Sequence, residues 1–576
     1  MSSKHSKIKL LTIIMPVIIL IMGFAPANDA MASPDQTETP MSLANYLPEN
    51  IDFYAAMRTD AAFIENLNAL YTRLGQGLAP ILDFPPGVLP QSIPALLDMM
   101  LEESVLDFQA IRPVLGGSIA IGMETASMES DVPIVLIVID LSEPGEAIAL
   151  LDSAPAFTKS EEAGYPVYEN PDEELVITIV DNIMYLSPSR DIIPFGGMPD
   201  HNLGSNPAFQ ETLALLPESA YDIFLYVDTG GILSQDMAEI PAEMMGFVSY
   251  LGPMAIGAKI TDGNSLVFDL AQNSDYSDVQ DVMGVMLNAD PINPDFWQHI
   301  PANSSIVLHS SNLRAIYDSL KGLGSALGEP DIVFGLNEIE TQIAAFTGLD
   351  FNEDILSWLT GDYAIYLSYD VNPETPSLLT AELYPNQQVD ELGFGFGFVI
   401  EAVNPEKAQL LVDTMAPLIS LIANTAAEGV TVSREEVAGA NTIAINIGMP
   451  SSPVPVDFLI GANDSVLVMG TEGSAISSLK GSDGLNNSQR FIEAQAHLLP
   501  NTISMMYADQ TAINALGDLT MIGSDSGMSS DEGLREAREA MLTIRRFAGL
   551  FHSATISSQT HDDGSMIGRF VLTFNR

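Results

Sequence analysis

Short apolar runs separated by polar, turn-rich stretches dominate the chain, and that alternation predicts more strand than helix. In the first half DFYAAMR, SIAIGME, IVLIVIDL, ELVITIV, IMYLSP, DIFLYVD, AIGAKI and LVFDLA read as strands. Val180-Asp181-Asn182 and Asp262-Gly263 fall between such runs and predict tight hairpins, so neighbouring strands pair antiparallel. Helical patterns follow Asp60 and Pro144 and precede Pro217. Pro144 and its later counterpart Pro405 sit in a first helical turn, where the missing N–H costs nothing. The clearest helix is DEGLREAREAMLTIRRFAGLF. There Leu534, Ala537, Met541, Ile544, Phe547 and Phe551 recur at three- and four-residue steps and mark one buried face. Antiparallel strands interspersed with helices predict an α+β fold, a mainly antiparallel sheet with helices packed on one face.

One phrase returns four times: LPENIDFYAAMRTD from Leu47, LPESAYDIFLYVD from Leu216, IPANSSIVLHSSN from Ile300 and LPNTISMMYAD from Leu499. Each copy has a proline, a polar step, a β-type run and an Asp or Asn suited to cap a following helix. Asp60, Asp228, Asn312 and Asp509 are the four cap candidates. Pro48 to Leu67 matches Pro301 to Leu320 in length, and the shorter Pro217 to Leu233 matches Pro500 to Leu516. That alternation points to a duplicated half-chain. VIDLSEPGEAIALLD from Val138 and VIEAVNPEKAQLLVD from Val399 align without a gap, pairing Pro144 with Pro405 and Asp152 with Asp413. Two tandem homologous lobes are therefore expected, at 43–280 and 296–576. The Pro- and Asn-bearing stretch within 281–295 serves as linker. Polar insertions near 370–392 and 520–533 lengthen the second lobe as exposed loops.

Ahead of the lobes, Lys4, Lys7 and Lys9 precede the uninterrupted apolar run Leu10 to Phe24, and Ala30-x-Ala32 follows. That is the plan of a secretory signal peptide, 1–32, cleaved after Ala32 or, as second choice, after Ala27, with a flexible segment 33–42 behind it. The run is shorter than the ~20 residues that cross a bilayer, and retention as an anchor is the alternative. The protein is thus expected to be exported: extracellular, periplasmic or envelope-associated. No other stretch is apolar enough to span a membrane.

Charge narrows the partners. Against 21 Lys and Arg stand 76 Asp and Glu, a formal net charge of -55, which repels nucleic acid and anionic lipid. An envelope protein or cations meeting the acidic surface fit better. The absence of cysteine removes disulfides, thiolate catalysis and zinc–thiolate sites.

Chemistry-bearing motifs are sparse. In GFGFGFVIE, Gly393 to Glu401, glycines alternate with Phe394, Phe396 and Phe398 inside a strand, whereas a phosphate loop needs them between strand and helix. The alternation puts the aromatics on one face and leaves the other bare for something to pack closely. GSDSG at Gly523 lacks nucleophile-elbow spacing, and Ser477-x-x-Lys480 lacks its companion motifs. Ser474 reads as a helix cap. His201, His299, His309, His497, His552 and His561 show no metal-ligand spacing. The acidic NPDEE and SSDEG are incomplete as calcium loops. No catalytic residue, cofactor site or metal site is assigned. The Met-rich stretch Asp236 to Met254 fills a core or, alternatively, forms a partner groove. The basic cluster Arg535, Arg538, Arg545 and Arg546 pairs with nearby carboxylates or docks a carboxylate-bearing partner.

The pieces YLPENIDFYAAMRTD, WLTGDYAIYLSYD and VIEAVNPEKAQLLVDTM resemble a family of exported bacterial proteins of unknown function. That family carries an opening L-P-x-x-x-x-x-Y phrase, a W-L-G-D strand and a proline-led helix ending in L-L-D. This chain departs from it with WLTGDY in one half and PVLGGS in the other. The resemblance implies no activity. The reading is a non-catalytic binding or scaffold protein; the alternative is an exported hydrolase whose carboxylates are brought together by the fold.

Overall fold

The computed structural model describes residues 39–78, 112–125, 134–172, 174–230, 252–261, 263–274, 289–326, 330–369, 394–426, 430–447, 456–512, 549–561 and 564–575. By contacts the chain divides into two compact units, Met1–Asp275 with Ser565–Ile567, and Tyr276–Gly564 with Gly568–Arg576.

In the first unit the strands are β1 (Phe53–Arg58), β2 (Leu115–Met123), β3 (Val135–Leu141), β4 (Thr158–Glu162), β5 (Tyr165–Asn170), β6 (Leu175–Val180), β7 (Ile183–Ser187), β8 (Ile223–Val227), β9 (Met254–Thr261) and β10 (Ser265–Gln272). They pair antiparallel in the order β4-β5-β6-β7-β3-β2-β1-β8-β9-β10. The eight runs read as strands in the sequence all form, and Asp181, at φ 57°, makes the β6–β7 turn. The β4–β5 hairpin was not legible. TKSEE is polar on both faces and almost fully exposed, as an edge strand can be, and Pro166 interrupts β5. Its turn is made by Ala163 and Gly164, both at positive φ.

Helices form at Ala61–Leu78, Pro144–Ser153 and Pro207–Leu215. Asp60 caps the first, its Oδ1 accepting the Phe63 N–H at 3.2 Å. Pro144 and Pro207 each open their helix, and Asn206 accepts the N–H groups of Ala208 and Phe209. The last helix thereby delivers Phe209 to Tyr54, Phe224 and Tyr226, with ring centroids 4.9 to 6.0 Å apart. These rings lie within the core of the unit, whose members are buried residues from β1, β2, β3, β5 to β10 and the turn Ser42–Tyr46.

The second unit contains β11 (Ser304–Ser311), β12 (Asp362–Tyr369), β13 (Phe394–Glu401), β14 (Val430–Val437), β15 (Ala440–Ile447), β16 (Val456–Ala462), β17 (Val466–Thr471), β18 (Ser504–Asp509), β19 (Phe551–Thr560) and β20 (Met566–Phe574). Their order is β14-β15-β16-β17-β13-β12-β11-β18-β19, antiparallel throughout, with β20 paired to β19. Taken in chain order, each strand holds the same place in this sheet as its counterpart holds in the first.

Helices were expected on one face, but they cover both faces of the second sheet, because β13 and β17 carry apolar side chains on either side. Glu472–Lys480 and Gln489–Gln495 share a core with Val307, Ala364, Tyr366, Val399, Val468 and Tyr507 on one face. Pro405–Ala426 buries Ile400, Ile443 and Leu467 on the other, beside Leu313–Ala326 and Pro330–Thr347. The helical run DEGLREAREAMLTIRRFAGLF lies outside the described residues up to its last turn, and its Phe551 opens β19 instead of closing a helix. The reason is positional: Phe551 and Phe574 pack their rings 5.4 Å apart, an aromatic contact that β geometry supplies. No described helix is long and apolar enough to cross a membrane.

Candidate functional site

Paired charges come first, exposed ones before buried ones, because chemistry needs them. At the end of helix Pro144–Ser153, Asp152 accepts from Lys159 Nζ at 2.5 Å and Tyr168 Oη at 2.7 Å. The lysine, helped by the tyrosine, holds the Asp152 carboxyl below the usual range. Its aligned partner Asp413 lies 3.6 Å from Arg434 Nη1, and Arg434 Nη2 donates to the Asp413 carbonyl at 3.1 Å. Lys159 is on β4 and Arg434 on β14, the first strands of equivalent hairpins. The closing Asp of the L-L-D helix therefore ties a crossover helix to the hairpin that follows it.

A second feature, one residue out of step between the two sheets, explains the glycine of the W-L-G-D strand. Asp140 on β3 accepts the Gly117 N–H at 2.7 Å and Asn182 Nδ2 at 3.0 Å. Glu401, its counterpart on β13, accepts the Asp362 N–H at 3.1 Å. A side chain at Gly116 would stand 2.4 Å from Asp140 Oδ2, and one at Gly361 2.5 Å from Glu401 Oε2. Both glycines make room for a carboxylate. Trp358 of the same motif is buried and donates its indole N–H to the Asp354 carbonyl at 2.9 Å.

Where the motif ends, the halves part. Asp362 is buried and accepts the Asn293 N–H at 2.6 Å, with His309 Nε2 at 3.0 Å. Trp297 Nε1 donates to His309 Nδ1 at 3.0 Å, and Phe296 stacks on the imidazole at 5.3 Å between centroids. Ser118 stands at this place in the first sheet. Elsewhere Arg58 bridges Asp60 at 2.6 Å and Asp222 at 2.9 Å, and Arg490 binds Asp509 at 2.9 Å. Buried Tyr221 donates to Asp269 at 2.7 Å. Sequence reasoning singled out Asp60 and Asp509 only as caps and saw none of these clusters as such, since most of their members come from different elements.

The motifs that sequence reasoning weighed fall in place as scaffolding. In β13, Phe394, Phe396 and Phe398 share one face, and the glycines present the other. A side chain at Gly397 would meet Tyr366 Oη at 2.4 Å, and one at Gly395 would collide with Ser474 Oγ. Ser474 is not a cap. It lies inside the first turn of Glu472–Lys480, where its carbonyl accepts Tyr366 Oη at 3.2 Å. Tyr366 also bonds Ser478 at 2.7 Å, next to Ser477 of the Ser-x-x-Lys match. Asn312 caps as expected, accepting the Ala315 N–H at 3.0 Å. Asp509 bonds the Thr511 N–H at 2.8 Å, while beyond Asp228 only Thr229 and Gly230 are described before residues 231–251, so the cap expected there lies outside the described residues. His201 is exposed 3.6 Å from Glu49, His299 donates from Nδ1 to the Ser478 carbonyl at 3.0 Å, and His552 lies 3.0 Å from Glu493. Burial and Arg569 push His497 down. Arg535, Arg538, Arg545 and Arg546, and residues 236–251 of the Met-rich stretch, lie outside the described residues, while Met254 opens β9. Among the described residues no group of three or more His, Asp or Glu is arranged to hold a metal ion.

Among the described residues of the second unit, a polar groove and an apolar surface are open. A groove of about 730 Å³ runs beside helix Pro405–Ala426, walled by Glu406, Gln409, Asp413, Asn441, Asn463 and Asp464. The other is apolar. On helix Pro330–Thr347, Ile332, Phe334, Ile339 and Phe346 point to solvent, both phenylalanines 68 % exposed. Across the sheet, Ile556, Met506, Leu308 and Ile365 stand in register on β19, β18, β11 and β12, each more than a third exposed.

No curated protein and no solved structure matches the chain. The model of the family described as protein of unknown function (DUF3352) matches residues 11–433, a span that holds the opening phrase, the W-L-G-D strand and the L-L-D helices whose packing roles are set out above. The chain belongs to that family.

Proposed function

We propose that this chain is an exported, non-catalytic binding or scaffold protein whose contact surface is the outer side of helix Pro330–Thr347. The observation that carries the reading is the exposure of Phe334 and Phe346. Ile332, Ile339 and Phe346 recur every seventh residue and form one stripe, the spacing with which a helix meets another apolar surface. Side chains of this size left in water forgo roughly 1.5–3 kcal/mol each, which a partner's apolar face recovers. By contrast, Asp152, Asp140, Glu401, Asp362 and Asp413 are occupied in fixing strands and helices. Export is supported by the basic start, apolar run and Ala30-x-Ala32 of the N-terminus. A tandem duplication belongs to the same proposal, supported by the shared strand order and the paired roles of Asp152 and Asp413.

A photo-crosslinker placed at Ile339 in the exporting cell tests the reading. A discrete adduct is expected, and Phe334→Ser with Phe346→Ser abolishes it while leaving the circular dichroism unchanged. An adduct pattern identical in that double variant overturns the proposal. The hydrolase reading rests on the groove with Glu406 and Asp464, and requires a hydrolytic activity that Glu406→Gln or Asp464→Asn removes.

A further inference from the structure

We propose that His309 is an acid-responsive latch that holds the turn Pro294–His299 to the second sheet. A tryptophan indole can only donate, so the 3.0 Å bond from Trp297 Nε1 requires His309 Nδ1 to be unprotonated. The ring proton is then on Nε2 and is donated to Asp362 Oδ2. The ring is fully buried, so a proton reaches Nδ1 only when the turn opens, and there it turns the acceptor into a donor. Two N–H groups face each other, and the imidazolium, now paired with the Asp362 carboxylate, keeps its place while the indole leaves. No covalent bond changes.

Few charged and titratable groups surround the ring. Asp362 on β12 is the nearest, its Oδ2 3.0 Å from His309 Nε2. Glu401 on β13 faces it through the Asp362 N–H. On the turn itself, Asp295 is exposed, and His299 is turned toward the Ser478 carbonyl. From β18, Met505 stands opposite His309 and brings no charge. Trp297 also meets Phe491 edge-on at 4.9 Å, and Phe491 meets Tyr507 at 5.2 Å, so the departing indole loosens a core contact. The sheet does not require the histidine: the corresponding place on β1, opposite Ala120, is Ala56, just as His309 is opposite Ala364. The latch is peculiar to the second unit.

Labelling both tryptophans with 5-fluorotryptophan gives each a 19F signal, assigned with Trp358→Phe. At neutral pH the His309 side-chain nitrogens are expected to report the Nε2–H tautomer. On acidification the Trp297 signal shifts in a one-proton step with far-UV circular dichroism unchanged. Amide exchange from Asn293 to Ile300 rises on the order of tenfold relative to β12, the loss of one neutral hydrogen bond. His309→Gln keeps a donor for Asp362 and abolishes the step. Asp362→Asn, the second variant, moves the step to lower pH. A Trp297 signal that stays constant until the chain unfolds, a step that survives in His309→Gln, or one that does not move in Asp362→Asn overturns the latch.

Discussion

At the level of single residues, Gly397 shows how an apparent ligand loop turns into packing. Its missing side chain lets Tyr366 lie across β13 with its hydroxyl bonded to Ser478. Gly397→Ala places a methyl group against the Tyr366 ring, and overpacking of that kind costs typically ~1–3 kcal/mol. Urea denaturation is expected to show that loss, whereas Gly568→Ala, with nothing within 4 Å of the new Cβ, leaves the midpoint nearly unchanged. The alternation of Phe and Gly was enough to foresee a bare face. What fills it was not legible, since Tyr366 and Ser474 come from elements remote in sequence. The same holds for His309 and Asp362: only register brings them together.

At the level of elements, strands announced themselves through apolar runs and caps through Asp60 and Asn312, but the β4–β5 hairpin did not, because an exposed edge needs no apolar face. β5 is held by its ladder to β6 and by buried Val167, and an ion pair from Lys159 on β4 to Asp152 adds an electrostatic attachment. Because Asp152 is held below its ordinary value, that attachment is present above the ordinary carboxylate pKa and is lost as pH falls through the depressed one. Asp152→Asn is expected to speed amide exchange in β4 and β5 at neutral pH and to leave the rest of the sheet unaffected. His497 acts in the opposite chemical sense with the same slope. Burial disfavours its charged form, so stability declines as pH falls from the ordinary histidine value toward the depressed one, and His497→Gln flattens that part of the profile. The Ser474 cap failed for a related reason: a Ser ahead of an apolar stretch reads as a helix start, yet Glu472 is already helical.

For the molecule as a whole, a charge of -55 means that carboxylates repel one another wherever they are not paired. Raising ionic strength to about 0.3 M, where the Debye length drops well under 10 Å, is expected to raise the melting temperature in a scanning experiment. A melting temperature indifferent to salt would mean that local ion pairs already balance the surface. Class and strand content were readable from patterning, whereas the strand order was not, because β1 lies between β2 and β8 and the chain between them says nothing of that return.

That central position of β1 has a consequence for the chain as it is made. Phe53 pairs with Val227, so one edge of the first strand stays bare on the ribosome until β8 arrives. A nascent chain stopped short of Val227 therefore offers an unpaired apolar ribbon, the substrate that holding chaperones take up and that aggregates otherwise form around.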